Sequence, residues 1–198
     1  MAYEKFNILK STAVPLPIEN IDTDQIIPAR FLKATERLGF GDNLFRDWRY
    51  SSDGNLNENF VLNNCIYDGK ILIAGKNFGS GSSREHAAWA IYDYGFRCVI
   101  SSFFADIFKN NCLNIGVLPL KVTQEDLDHI LELVFKNPSL EITVDLMNQK
   151  LIIEEKKFER FFEINSFKKN NLMNGLDDID YLTNMKDEII NFSKKIPL

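Results

Sequence analysis

The feature that most constrains the fold is a glycine-rich segment between a short apolar run and a helical pattern. Lys70–Ala74 is mostly apolar and typical of a buried strand. Gly75–Gly81 contains three glycines in seven residues. Ser82–Tyr94 carries several alanines and ends before Gly95, as expected of a helix with a C-terminal glycine. A strand, a tight loop and a helix in this order predict a strand–helix–strand unit.

The rest of the chain predicts a single domain of the α/β class over residues 1–198. Near the C-terminus two alternating segments flank Met147-Asn148 like the arms of a hairpin, so we expect a mixed sheet system. Residues 178–198 are polar and indicate a helical extension. The other predicted elements are strands at 2–8, 97–101, 117–122, 140–145, 150–154 and 158–164, and helices at 105–114, between Thr123 and Pro138, and at 166–174.

Three segments of the N-terminal third lack a regular period. Val14–Ile18 contains two prolines, which suits an edge strand or an extended connector. Asn20–Pro28 is rich in side chains that bond local backbone and indicates a structured turn. Arg37–Asn59 mixes aromatic, charged and turn-forming residues, and we interpret it as a long surface excursion, a kind of loop that often carries function.

Charge and hydropathy exclude several classes of function. With a net charge of −5 and a pI of about 5.2, the chain gives no sign of the basic face that nucleic-acid binding requires. They do not favour an anionic membrane surface either. No apolar run reaches the roughly 18 residues of a membrane span, and Glu4 and Asn7 interrupt any signal-peptide core. A cytoplasmic location is therefore expected.

The cysteines and histidines do not indicate a metal site in this chain. The chain has three cysteines, Cys65, Cys98 and Cys112, and this odd number at wide spacing argues against a disulfide framework. With His86 and His129 as the two histidines, a zinc site made by this chain alone is not expected. We interpret the cysteines as small buried residues in a reducing compartment, and His129 as a solvated helix residue.

The glycine-rich segment has the components of an anion site. Its glycines allow positive φ and exposed N–H groups, and the start of the following helix attracts negative charge. Ser82, Ser83 and Arg84 add two hydroxyls and a guanidinium that can bind a carboxylate bidentately. The segment is not a P-loop, because a P-loop has its lysine after the glycines and Lys76 precedes two of them. It is not a dinucleotide-binding fingerprint either, because Arg84 stands where the third glycine would be. The identity of the anion stays open at this point.

The same residues also admit structural roles. Ser82-x-x-Glu85 matches a capping box, in which the serine hydroxyl accepts from a helix N–H and the glutamate bonds back. The pattern alone does not decide between a helix cap and a catalytic hydroxyl at Ser82. His86, about one turn into the segment, is more typical of a packed or hydrogen-bonded histidine than of a catalytic base.

Residues Asn77–Ala88 resemble the Gly-x-Gly-Ser-Ser-Arg-Glu-His signature of the aconitase swivel-domain family. The resemblance covers nearly the whole chain, and the segment around Trp48 together with the chain length is similar to the branch of bacterial 3-isopropylmalate dehydratase small subunits. The other matching segments follow in the family's order: Asn20–Pro28, Gly39–Gly41, Leu44–Arg49, Phe104–Phe108 and Met173–Asp177.

The resemblance implies a fold, a partner and a reaction. The fold is the swivelling β/β/α domain of aconitases. The partner is a large subunit, which forms a heterodimer with this chain and holds a [4Fe–4S] cluster that acts as a Lewis acid, with no metal ligand from this chain. The reaction interconverts 2-isopropylmalate and 3-isopropylmalate by dehydration and rehydration, a step of leucine biosynthesis.

The resemblance also assigns roles to residues. Ser82 would be the catalytic base that takes a proton from carbon, while Ser83 and Arg84 would bind a carboxylate of the dicarboxylate substrate. An alkoxide at Ser82 requires stabilisation, which a helix N-terminus, loop amides and a guanidinium provide. The supporting candidates are Asp22, Thr23 and Asp24 as the opposite wall of the site or its turn, Arg30 in a region of variable specificity, and Gly79, Gly81 and His86.

Two alternatives remain beside this hypothesis. The first is the same chemistry on another malate-like acid, of the citraconate or homoaconitate type. The second is a non-catalytic module that binds an anion and serves as a metabolite sensor or an assembly factor.

Overall fold

The computed structural model describes residues 3–33, 39–82 and 84–194 of the 198-residue chain. Short strands alternate with helices, as the sequence predicts for its middle part. The strands are β1 (Ile8–Ser11), β2 (Ala13–Leu16), β3 (Ile71–Ala74), β4 (Cys98–Ser101), β5 (Leu118–Lys121), β6 (Ile142–Asp145), β7 (Lys150–Ile153) and β8 (Phe158–Phe161). The helices are α1 (Thr23–Ile26), α2 (Arg46–Arg49), α3 (Glu85–Tyr94), α4 (Asp106–Asn114), α5 (Gln124–Lys136), α6 (Ser166–Asn174), α7 (Asp178–Asn184) and α8 (Lys186–Ser193).

The centre of the fold is a four-stranded parallel sheet in the order β2-β3-β4-β5. Its two edge strands each contain a proline, Pro15 in β2 and Pro119 in β5. An edge strand tolerates proline because only one of its sides has to supply ladder hydrogen bonds. Of the two structures proposed for Val14–Ile18, the edge strand is confirmed.

A second sheet is antiparallel, in the order β1-β6-β7-β8, and contains the predicted hairpin of β6 and β7. The first strand, predicted at 2–8, instead covers Ile8–Ser11, where its first residue pairs with Asp145 of β6. The residues before it have partners elsewhere, since the amide of Tyr3 donates to the carbonyl of Gly175 at 2.9 Å. The boundary is set by this long-range pairing, which local propensity does not reveal.

Alternation along the parallel strands divides their side chains between two cores. Ile71 and Ile73 of β3 face a core shared with α5 and the antiparallel sheet. Leu72 and Ala74 face a core shared with α3 and α4. Because successive side chains point to opposite faces of a strand, both faces of the parallel sheet are buried. The resulting layers confirm the predicted α/β fold with a mixed sheet system.

The interpretation of Arg37–Asn59 as a surface excursion is wrong for its central part, and its first two residues lie outside the described ranges. Phe40 and Phe45 are buried in the core on the α3 side of the parallel sheet. Gly41 makes this close packing possible, because a Cβ there would lie 2.4 Å from the amide nitrogen of Tyr94. Phe40 begins one short helical turn and Phe45 precedes another, and single turns leave no periodic pattern to detect.

Most predicted helices are confirmed. The hydroxyl of Thr123 caps α5 by accepting a hydrogen bond from the amide of Asp126 at 3.1 Å, and α6 has the predicted boundaries.

Asn20–Pro28, predicted as a turn, contains the one-turn helix α1. A reciprocal capping box of Asp22 and Gln25 starts this helix, with both hydrogen bonds at 2.8 Å.

The C-terminal extension forms α7 and α8, as predicted for residues 178–198, of which the last four lie outside the described ranges. Asp177 caps α7 by accepting a hydrogen bond from the amide of Asp180 at 2.6 Å. The two helices expose several apolar side chains, including Ile179 and Phe192. None of the helices in the described ranges combines the length and the apolar character needed to cross a bilayer.

Candidate active site

The candidate site lies at the carboxyl edge of the parallel sheet. The glycine-rich loop follows β3, residues 17–24 follow β2, and residues 102–105 follow β4. The segments that follow parallel strands gather at one edge of a sheet, which is the usual place for ligands in open α/β sheets. Three segments that are distant in sequence are therefore neighbours here.

Backbone hydrogen bonds join the glycine-rich loop to the segment after β2. The amides of Gly79 and Ser80 both donate to the carbonyl of Ile21, at 2.8 and 3.2 Å. In return the amide of Thr23 donates to the carbonyl of Ser80 at 2.9 Å. These bonds fix the path of the loop without using side chains.

On its other side the loop is bonded to the segment after β4. The amide of Phe78 donates to the carbonyl of Phe103 at 3.1 Å, and the amide of Ala105 donates to the carbonyl of Phe78 at 3.2 Å. The ring of Phe78 is fully buried and meets Phe108 edge to face, with 5.3 Å between ring centroids. The loop is thus held between the segments that follow β2 and β4, the two strands that flank β3.

Two glycines are required by the path of the loop. Gly79 has φ +78°, and a Cβ there would lie 2.1 Å from Cγ of Phe108. Gly81 has φ +87°, and a Cβ there would lie 3.3 Å from Cβ of Asp22. Residues with a side chain rarely adopt such φ values. Both glycines therefore shape the backbone that leads to Ser82.

Ser82 is exposed and does not cap the following helix through the expected box. Helix α3 begins at Glu85, its N-cap residue is Arg84, and no side-chain cap bond is made to it. The Glu85 carboxylate instead accepts a hydrogen bond from Nε1 of Trp89 at 3.0 Å. The carbonyl of Ser82 accepts from Oγ1 of Thr23 at 2.8 Å, while its hydroxyl bonds none of the described residues. The capping-box interpretation is therefore wrong, because the helix starts three residues later than predicted.

Arg84 forms an ion pair with Asp24, which lies in the first turn of α1. The guanidinium side chain is 19% exposed, so it is largely packed while one side remains open to solvent. The carboxylate of Asp24 is half-exposed. This contact brings the segment after β2 to the same place as the glycine-rich loop. Ser83, the other predicted carboxylate ligand, lies outside the described residues.

Asp22, Thr23 and Asp24 contribute to the site in three different ways. Asp22 caps α1, Thr23 holds the carbonyl of Ser82, and Asp24 pairs with the neighbouring Arg84. The first two contacts are structural, whereas the third engages a charged group that faces solvent.

Arg30 lies apart from this cluster. Its guanidinium donates to both carboxylate oxygens of Asp47, one of them at 2.9 Å, and stacks 4.8 Å from the centroid of the Phe31 ring. The hydrogen bond from Arg30 holds the pKa of the Asp47 carboxyl below its usual value. No hydrogen bond or ion pair joins Arg30 to the described part of the glycine-rich loop.

His86 packs against aromatic rings. Its ring centroid lies 4.4 Å from that of Trp89 and 5.6 Å from that of Phe40. The side chain is partly buried. These contacts agree with the prediction of a packed histidine and fasten the first turn of α3 to the Phe40 segment.

Sequence reasoning did not single out Asn20, Asn77 or Ile21. Asn77 has φ +61°, and its Nδ2 donates to Oδ1 of Asn20 at 2.9 Å, which adds a side-chain link between the two segments. Asparagine tolerates a positive φ, so its place beside the glycines was a usable signal. Ile21 contributes only its carbonyl, and a backbone acceptor has no signature in sequence.

The potential metal ligands among the described residues do not gather at the site. Within the described ranges, no group of three or more His, Cys, Asp or Glu side chains is placed to hold a metal ion. Cys98 and Cys112 are buried as predicted, and burial raises the pKa of both thiols. Cys65 is exposed, so the prediction of burial is wrong for this residue. It lies on the connection before β3, where no layer covers it.

Several known proteins are similar to this chain in sequence and in fold. The model of the aconitase C-terminal domain matches residues 3–125. The chain is 58% identical over 191 residues to a 3-isopropylmalate dehydratase small subunit of Cytophaga hutchinsonii, covering 96% of this chain and 95% of that protein. It is 59% identical over 192 residues to the small subunit of Azobacteroides pseudotrichonymphae, covering 96% and 98%. A solved 3-isopropylmalate dehydratase structure from Methanocaldococcus jannaschii superposes with a TM-score of 0.67 at 27% identity, covering 94% of this chain and 99% of that chain.

Proposed function

Because the chain belongs to the aconitase C-terminal domain family, in the branch of 3-isopropylmalate dehydratase small subunits, we propose that it supplies one half of such a dehydratase. With a large subunit it interconverts 2-isopropylmalate and 3-isopropylmalate in leucine biosynthesis. Water is removed across a carbon–carbon bond to give an alkene. It is then added back with the hydroxyl on the neighbouring carbon.

The observation that carries the proposal is the fixed loop that presents Ser82 and Arg84 together at the carboxyl edge of the parallel sheet. Bonds to the segments after β2 and β4 hold this loop, and its glycines permit the backbone path that leads to Ser82. The small subunits to which the chain is similar match it over 96% of its length, so the resemblance includes the loop and the elements that hold it.

Arg84 is the residue that binds a substrate carboxylate in this proposal. A guanidinium presents several N–H donors in one plane and can bind two carboxylates on different edges. The ion pair with Asp24 uses one edge of Arg84 and holds its orientation. The solvent-facing part of the Arg84 guanidinium then remains available for the substrate. The side chain is already oriented before the substrate binds.

Ser82 is the base that removes the proton from carbon. Ser82 acts as its alkoxide, so the proton taken from carbon is carried on its Oγ. The electrons of the C–H bond form the alkene as the substrate hydroxyl leaves, and an acid on the large-subunit side would supply the second proton that turns this hydroxyl into water. A serine hydroxyl is a weak acid, so its alkoxide has to be stabilised by nearby positive charge. Arg84 and the N-terminus of α3, which starts three residues after Ser82, provide that stabilisation.

The large subunit completes the site. A [4Fe–4S] cluster held by that subunit would act as a Lewis acid on the substrate hydroxyl and carboxylate. The cysteines of this chain do not fit such a cluster, because Cys98 and Cys112 are enclosed in the core and Cys65 lies on a separate connection. This chain would therefore contribute the base and a carboxylate site.

Replacing Ser82 by alanine tests the catalytic assignment. The variant is co-expressed anaerobically with the large subunit, and dehydration of 3-isopropylmalate is followed in the purified pair. We expect kcat to fall about 10²- to 10⁴-fold, the usual effect of removing a general base. The matched control is Ser139→Ala, which changes an exposed serine in the connection between α5 and β6. Near-normal turnover of an intact Ser82→Ala pair would refute the role of Ser82.

Replacing Arg84 by lysine tests the carboxylate site. Lysine keeps the charge and the possibility of pairing with Asp24 but loses the planar set of donors. Since a charge-assisted hydrogen bond is worth about 1.5–3 kcal/mol, KM should rise about tenfold or more. An unchanged KM would show that the substrate carboxylate is bound elsewhere.

A panel of substituted malates separates the proposed substrate from its alternatives. The reconstituted pair should have its highest kcat/KM with 3-isopropylmalate. A higher value with citraconate or with a homoaconitate-type acid would move the assignment to that substrate. Tight dicarboxylate binding by the chain with no turnover alongside the large subunit would identify it as a non-catalytic module.

A further inference from the structure

A second feature of the carboxyl edge is a cleft of about 700 Å³ next to the glycine-rich loop. One wall consists of residues that follow or end the parallel strands, with Lys76 after β3, Phe103 after β4 and Lys121 in the last position of β5. Lys109 of α4 lines it as well, and Arg160 of β8 stands on the side of the antiparallel sheet. We call it the lysine cleft, after its three lysines.

The positive charge in the lysine cleft is only partly neutralised. Arg160 pairs with Asp126, with Nε 2.7 Å from Oδ1. The three lysines form no ion pair with any residue in the ranges 3–33, 39–82 and 84–194. Glu163 is the other acidic residue of the lining, which leaves an excess of two positive charges in a chain whose net charge is −5. The cleft therefore opposes the average charge of the protein.

The size of the lysine cleft suits a small molecule. Pockets for small ligands typically measure about 300–1,000 Å³. Phe103 is 46% exposed, and its ring lies 5.9 Å from Nζ of Lys121. An apolar ring beside several cations matches an acid that carries both carboxylates and an alkyl group.

We propose that the lysine cleft collects the dicarboxylate substrate from solution and raises its concentration beside Ser82. This inference rests on the proposed function, which makes the substrate a dianion. Lys76 lies six residues before Ser82 in the same loop, and the cleft and the serine share the carboxyl edge of the sheet. A cleft of one charge sign concentrates ligands of the opposite sign and accelerates their association.

The test compares two double variants with the same change of net charge. Lys109→Gln/Lys121→Gln removes two charges from the cleft, whereas Lys156→Gln/Lys186→Gln removes two exposed charges elsewhere. Each variant is combined with the large subunit, and kcat and KM for 3-isopropylmalate are measured at about 20 mM and about 300 mM salt. Sedimentation or titration of the same samples gives the dissociation constant of the two subunits.

The cleft variant should raise KM roughly three- to tenfold at low salt with kcat unchanged, because two unscreened charges attract a dianion over roughly 20 Å. At high salt the difference should shrink to less than about twofold, since screening then limits the attraction to a few ångströms. The control variant should match the unmodified pair under both conditions.

Three results would overturn the inference. An unchanged KM at low salt would show that the cleft does not attract substrate. An equal rise in both double variants would assign the effect to net charge. A loss of activity that follows weaker subunit association would make the cleft a docking site for an acidic segment of the large subunit. Failure of the proposed function has a different signature, because the unmodified pair would then not convert 3-isopropylmalate at all. The three results above instead leave the unmodified pair active and overturn only the role of the cleft.

Discussion

Replacing Gly79 by alanine should destabilise the chain more than a glycine replacement at any open turn. The φ of +78° costs a residue with a side chain about 1–2 kcal/mol. The added methyl group would also lie 2.1 Å from Cγ of the buried Phe108 ring, and overpacking of this kind costs about 1–3 kcal/mol. The free energy of unfolding should therefore fall by about 2–5 kcal/mol in urea denaturation followed by circular dichroism.

Gly54→Ala is the matched control for this experiment. Gly54 has φ +85°, but a Cβ there would meet nothing within 4 Å, so only the conformational cost of about 1–2 kcal/mol is expected. In the double variant Gly79→Ala/Phe108→Leu the smaller side chain should relieve the overlap, and the combined loss should be less than the sum of the single losses. Equal losses for Gly79→Ala and Gly54→Ala would show that the Phe108 ring yields, and would refute the tight packing of the loop.

Two further measurements test other parts of the structure. In the native chain only Cys65 should react rapidly with a thiol reagent at pH 8, because burial raises the pKa of the Cys98 and Cys112 thiols. All three cysteines should react after unfolding. A second rapidly reacting thiol in the native chain would contradict the burial of Cys98 or Cys112. The pKa of Asp47 should lie below its usual range in carboxyl NMR spectra and should rise in Arg30→Gln, because the variant loses the guanidinium hydrogen bond. Since the folded-state pKa is lowered, the small contribution of this exposed pair is present above the unfolded pKa and is lost as the pH falls through the folded one. An unchanged Asp47 titration in the variant would exclude the ion pair in solution.

Elements that are specified by local signals were predictable from the sequence. Helix α6 has the predicted boundaries because an asparagine N-cap and Gly175 mark its ends. Helix α5 combines the Thr123 cap with an apolar face whose side chains, including Leu127, Ile130 and Val134, are buried. The first strand and the buried aromatic residues near Phe45 depend on partners far away in the chain, so their own sequence does not specify them.

In the candidate site, too, the features with local signals were predictable, whereas those set by distant partners were not. The predicted order of strand, glycine-rich loop and helix is confirmed by β3 and α3, and the anion site in this loop stays a prediction. The start of α3 was misplaced because Ser82 and Glu85 have the spacing of a capping box, while tertiary bonds hold Ser82 outside the helix. The ion pair between Arg84 and Asp24 joins residues that are 60 positions apart and could not be deduced from either segment alone.

The hydrogen bonds on both sides of the glycine-rich loop also determine how the site can move. Shifting the loop with Ser82 relative to the parallel sheet would break the bond from Thr23 to the Ser82 carbonyl together with those of Gly79 to Ile21 and of Phe78 to Phe103. Ser82 therefore travels with the sheet as part of one rigid body. In the dehydratase proposed above, admission of substrate and release of product would then require rotation of the whole chain against the large subunit. Stiffening the boundary between the two subunits should slow turnover even where no residue of the site is altered.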